Sequence, residues 1–134
     1  MKKIGFVKAF STLGYQLSNH QTDWSAESDR GVCITVWEKE LGIRDGLSWF
    51  DSQVHAGPYE IWGSKVGNNK RKKHLARALA EFGGRVDVVI VKGTPGEGYD
   101  DADPWGEERK RKGHWQIKSF DQDTGHFSVG VVRG

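Results

Sequence analysis

Between positions 65 and 77 the chain carries six cations and no acid: Lys65, Lys70, Arg71, Lys72, Lys73 and Arg77. Clustered cations attract polyanions, above all the phosphate backbone of a nucleic acid. The spacing around them predicts a helix, with Asn68 or Asn69 as N-cap and Gly83-Gly84 as the stop. Leu75, Ala78, Leu79 and Phe82 recur as one apolar stripe. Lys70, Lys73, His74 and Arg77 then share the opposite face with Glu81. Helix N-termini carry partial positive charge, so these cations sit at the less favourable end. The free N–H groups of the first turn add to the same field, and an anion there would offset the repulsion. The expected phosphate contacts are Lys65, Asn68, Asn69, Lys70, Arg71, Lys73, His74 and Arg77. The competing reading is a solvated face, or one neutralised by acids elsewhere in the chain.

A second charged stretch follows. Glu97, Asp100, Asp101, Asp103, Glu107 and Glu108 precede Arg109, Lys110, Arg111 and Lys112. Several carboxylates together could bind a hard cation, but the spacing lacks the alternating ligands of an EF-hand loop. No metal site and no cofactor are expected. The basic half, Arg109 to Lys112, reads as a second arm for phosphates, and the acidic half as a shield for the basic helix.

The chain has six tryptophans. Trp37 and Trp115 fit strand cores, whereas Trp49, Tyr59 and Trp62 lie in the densest aromatic stretch, just upstream of the basic helix. Aromatics beside cations can stack bases, so these three are the expected stacking residues. They could equally form a hydrophobic cluster beneath loops. P-loop, dinucleotide, GxSxG and HExxH motifs are absent, and the five histidines are widely spaced. No catalytic residue is assigned.

These groups need elements to position them. The 134 residues suit a single domain, 1–134. A first strand is expected near Ile4–Phe10, then a long polar loop over 11–31. "VCITVW" reads as a strand with Val32, Ile34 and Val36 on one face and Cys33, Thr35 and Trp37 on the other. Asp45-Gly46 would close a hairpin between strands near Ile43 and Trp49-Phe50. "YEIWG" is a further short strand, and "RVDVVIVKG" a central one. A charged loop, expected to be mobile, spans about 93–113. A closing hairpin turns in Asp121–Gly125, with Phe127, Val129 and Val131 on one face. The expected class is α+β: a small curled antiparallel or mixed sheet of five to seven strands, barrel-like if it closes, packed against one main helix.

The single cysteine, Cys33, excludes an internal disulfide and reads as a core residue. Together with a start that has no long apolar run, it leads to the expectation of a soluble, cytoplasmic protein off the membrane. The function expected is a nucleic-acid-binding module, for DNA or RNA, with phosphates on the basic helix and bases on the aromatics. The alternatives are a metal-dependent phosphodiester hydrolase using loop carboxylates and a charged protein–protein interaction domain.

Overall fold

A computed structural model describes residues 6–17, 24–29, 31–44, 47–52, 66–94, 98–105 and 114–132. Within them the elements run α1 (Phe6–Thr12), β1 (Ser25–Ser28), β2 (Gly31–Trp37), a 3-10 turn (Glu38–Glu40), β3 (Gly42–Arg44) and β4 (Leu47–Asp51). Then come α2 (Val66–Glu81), β5 (Arg85–Thr94), β6 (Gly98–Trp105), β7 (His114–Phe120) and β8 (Phe127–Val132). The class is α+β, a mixed sheet with one main helix packed on it.

Seven strands follow the order β1-β2-β5-β7-β8-β4-β3, and β6 joins the side of β5. β5 is the hub. Its residues Asp87–Val91 run parallel to Cys33–Trp37 of β2. On its other edge, Arg85 and Val86 pair with β7, and the residues from Val88 onward pair with β6. The β-branched run at 86–91 therefore holds the central place that its composition predicts.

Strand alternation divides the core between two faces. Val32, Ile34 and Val36 join Val88, Ile90, Trp115, Ile117, Phe127, Val129 and Val131 beneath Leu75 and Ala78 of α2. Cys33, Val89 and Val91 face the other way and pack with Ala9 and Phe10 of α1 and with Tyr15. The Tyr15 hydroxyl donates to the Asp87 carboxylate at 2.6 Å, pinning the segment after α1 to the hub strand.

Three expectations are corrected. The expected first strand is a helix: Ala9 and Phe10 are fully buried and Leu13 packs behind them, a helical spacing. The expected loop over 11–31 contains β1, whose Ser25–Ser28 pairs with β2. The expected loop over 93–113 contains β6, with Thr94 opposite Gly98 and Val88 opposite Trp105. β6 lacks apolar alternation and carries Pro104. Its ladder runs to β5 on one side, so it tolerates the proline as an edge strand does. "YEIWG", residues 59–63, lies outside the described residues.

The two expected hairpins are present. Arg44 pairs with Leu47 across positions 45–46, and Gly42 with Trp49. The β7–β8 hairpin pairs Phe120 with Phe127, and its turn closes through Gly125 N–H to the Asp121 carbonyl at 2.8 Å. α2 stops at its expected glycines. Gly83 takes φ +63° and Gly84 φ +82°, and Gly84 N–H donates to the Ala78 carbonyl at 2.9 Å, so left-handed glycines turn the chain back onto the last turn of the helix.

Candidate functional site

The buried stripe of α2 differs from the expected one. Leu79 is 44% exposed, whereas Asn68 and Arg71 are buried in line with Leu75 and Ala78, with Phe82 packed at the end. The spacing is still three and four residues, so the helix keeps its period but begins its inner face with two polar side chains. Asn68 is not the N-cap, because α2 already starts at Val66. Its side chain turns inward, and its Nδ2 donates to the Thr124 carbonyl at 3.1 Å in the β7–β8 turn.

Arg71 is likewise withdrawn from the outer face. Its guanidinium carbon lies 4.9 Å from the centre of the Trp24 ring and 4.6 Å from that of Phe127. Its Nη2 points at Asn68 Oδ1, a long contact of 3.4 Å. Burial pushes the guanidinium below the usual arginine range, and the charge of Glu40 opposes that shift. An arginine keeps its proton in a protein, so two aromatic faces enclose a cation here.

His74 and Arg77, expected to face outward, dock on β1. Ser25 Oγ lies 2.6 Å from His74 Nδ1, and His74 Nε2 lies 3.2 Å from the Glu27 carboxylate. Arg77 Nη1 donates to Glu27 at 2.6 Å, and its Nε to Glu81 at 2.8 Å. The Arg77 hydrogen bond holds the Glu27 carboxyl below its ordinary value, with the charge of His74 adding to the effect and partial burial opposing it. Serine, histidine and glutamate in a hydrogen-bonded line are the ingredients of a nucleophile triad. Ser25 is only 1% exposed, however, and Glu27 is shared with Arg77, so this line ties α2 to β1. Among the described residues, Glu27 is the acid of the sheet that meets His74 and Arg77; the side chains of the expected shield at 97–108 lie outside the described ones.

What remains on the outside is a shallow groove of about 420 Å³ lined by Asn69, Lys72, Lys73 and Gln122. One wall is the start of α2, and the other is the β7–β8 turn. Lys70 is half-buried beside it on the helix. Lys72 and Lys73 make no ion pair among the described residues. Asp121 and Asp123, both exposed, flank Gln122 in the chain. The Asp121 carboxylate accepts the Asp123 N–H at 2.9 Å, and this bond chiefly holds its pKa below the ordinary value.

Apart from Lys70, half-buried beside the groove, and Trp49, the expected contacts separate into three sets. Asn69 and Lys73 line the groove with Lys72, which belongs to the cation run but not to the expected contacts. Asn68, Arg71, His74 and Arg77 are structural ties. Lys65, Arg109, Lys110, Arg111, Lys112, Tyr59 and Trp62 lie outside the described residues. Trp49 is half-buried on β4, opposite Gly130. Its neighbour Phe50 enters the core beneath α2, so alternation turns Trp49 to the other face of the sheet. Trp49 and the groove lysines are not brought together. Gln122 went unmarked in the sequence, although its turn was legible.

Among the described residues, no group of three or more His, Cys, Asp or Glu side chains is placed to hold a metal ion. No helix among them is long and apolar enough to cross a membrane. Comparison with models of known protein families, with curated proteins and with solved structures yields no match to this chain.

Proposed function

We propose that this protein is a nucleic-acid-binding module that holds phosphates in the groove between the start of α2 and the β7–β8 turn. The observation that carries this reading is the pair Lys72 and Lys73 lining that groove with Asn69 and Gln122. Of the other described cations of this helix face, His74 and Arg77 are matched by Glu27. The two groove lysines have no such match among the described residues. Their mutual repulsion favours an anion between them. A repeating polyanion adds further phosphates along the surface and releases counterions as it binds.

The test is fluorescence anisotropy with labelled DNA and RNA across a salt series. Binding is expected at ~50 mM salt, with affinity falling linearly on a log–log plot. Lys72→Glu with Lys73→Glu should weaken binding at least ~10-fold and make the salt slope shallower by about 2. Lys8→Glu with Arg85→Glu changes net charge equally at exposed sites on other elements and should leave most of the affinity. No binding at ~50 mM salt, or equal losses in the two double variants, sinks the reading.

A further inference from the structure

Resting on that reading, we propose that the groove takes one nucleotide of a single strand, its phosphate against Lys72 and Lys73 and its base against Asn69 and Gln122.

The two kinds of side chain in the groove do different work. A lysine ammonium is a donor only and meets phosphate as a point charge. Asn69 and Gln122 each carry an acceptor and two donors in one plane, the pattern that complements the edge of a base. The lysines thus supply affinity that ignores sequence, and the amides supply contacts that depend on it.

The charges set the direction of the nucleotide. Lys72 and Lys73 project from α2, whereas Asp121 and Asp123 flank Gln122 on the turn. A phosphate is drawn to the helix wall and repelled from the turn wall. The uncharged base is left for Gln122.

The size and form of the groove select a single strand. About 420 Å³ lies within the range of clefts that take one small ligand, roughly 300–1,000 Å³. A duplex is a convex cylinder whose base edges lie at the floor of a groove about 8.5 Å deep. Short amides lining a concave surface do not reach that floor. An unstacked nucleotide can enter the groove and expose its edge.

The walls are held at a constant spacing. Asn68 bonds the Thr124 carbonyl at 3.1 Å, two residues from Gln122, and Arg71 stacks on Phe127 in the same hairpin. Asn69 and Lys72 are the next residues along the helix from these two anchors. The buried polar side chains thus preorganise the exposed ones, which lowers the cost of ordering them on binding.

The test compares oligodeoxyadenylate, oligodeoxycytidylate and oligothymidylate of one length with a duplex of that length, by anisotropy at fixed salt. The single strands should bind at least ~10-fold tighter than the duplex. Lys72→Glu with Lys73→Glu should weaken all three single strands alike. Asn69→Ala and Gln122→Ala should change the affinity ratios among the three by ~5-fold or more with the salt slope unchanged. Both residues are exposed, and far-UV circular dichroism checks that the variants keep their fold. A duplex that binds as tightly as the single strands, or ratios unmoved in both amide variants, overturns this inference and leaves the phosphate-binding reading standing. Loss of binding to every nucleic acid in the unmodified protein overturns that reading and this inference with it.

Discussion

The Arg71 guanidinium lies 4.6 Å from the centre of the Phe127 ring, and the two residues join elements far apart in the chain. Arg71 belongs to α2 and Phe127 opens β8, while Trp24 covers the guanidinium from the approach to β1. One cation thus ties the helix to the approach to edge strand β1 and to β8, four places along the sheet order. A buried charge is a costly tie, and removing such a group while its neighbours stay buried is costlier still.

Arg71→Ala is expected to destabilise the fold by about 3 kcal/mol, from the lost stacking, the cavity and the exposed partners. Arg71→Lys keeps the charge but loses the flat stacking surface, and should cost about 1–2 kcal/mol. Urea unfolding followed by circular dichroism measures both. An Arg71→Ala midpoint equal to that of the parent would show that the sandwich contributes nothing.

Gly125 is required twice over. Its φ is +90°, and a Cβ there would overlap the Asn68 side-chain amide. Gly14 has nearly the same φ, +92°, with open space where its Cβ would go. Gly14→Ala should therefore cost about 1 kcal/mol from the backbone alone. Gly125→Ala should cost about 3 kcal/mol, because the strain and the overlap add. Combining Gly125→Ala with Asn68→Ala removes the overlap, so the double variant should lose about 1–2 kcal/mol less than the sum of the singles. Strict additivity would break the link between these two residues.

The clamp between β1 and α2 gives a defined acid dependence. Arg77, then His74, hold the folded-state pKa of Glu27 below its usual 4.5. A carboxyl depressed in the folded state contributes stability above its unfolded pKa and loses it as pH falls through the folded value. The parent should therefore exceed Glu27→Gln in stability at neutral pH, and the gap should close as pH falls through the folded-state pKa of Glu27. Glu27 is close to half exposed, so added salt should narrow the gap at neutral pH. Unfolding curves across pH decide it, and a gap that persists unchanged at low pH contradicts the ion-pair account.

Much of the framework was legible because it is local. The Asp-Gly turn, the β7–β8 hairpin, the alternation in β2 and the glycine stop of α2 each lie within a few residues of their own signals. α1, β1 and β6 were missed for one reason. Each is short or polar and is stabilised mainly by what it lies against: Cys33 and Val89 under α1, and the ladders to β2 and β5. Propensity over so few residues is a weak signal, and tertiary pairing overrides it.

The candidate site divides in the same way. The sequence by itself determined that a cation-rich helix would run up to Gly83-Gly84 and that its Leu75 and Ala78 would face a core, but it set the start at Asn68 or Asn69 rather than Val66. It could not say what lay across from each cation. Helical period gives the angle of a side chain about the axis, but burial depends on the partner brought up to that angle. Ser25 and Glu27, about fifty positions away, claimed His74 and Arg77, as Phe127 and Trp24 claimed Arg71. Only that packing left Lys72 and Lys73 at the surface and set Gln122 opposite them across the groove.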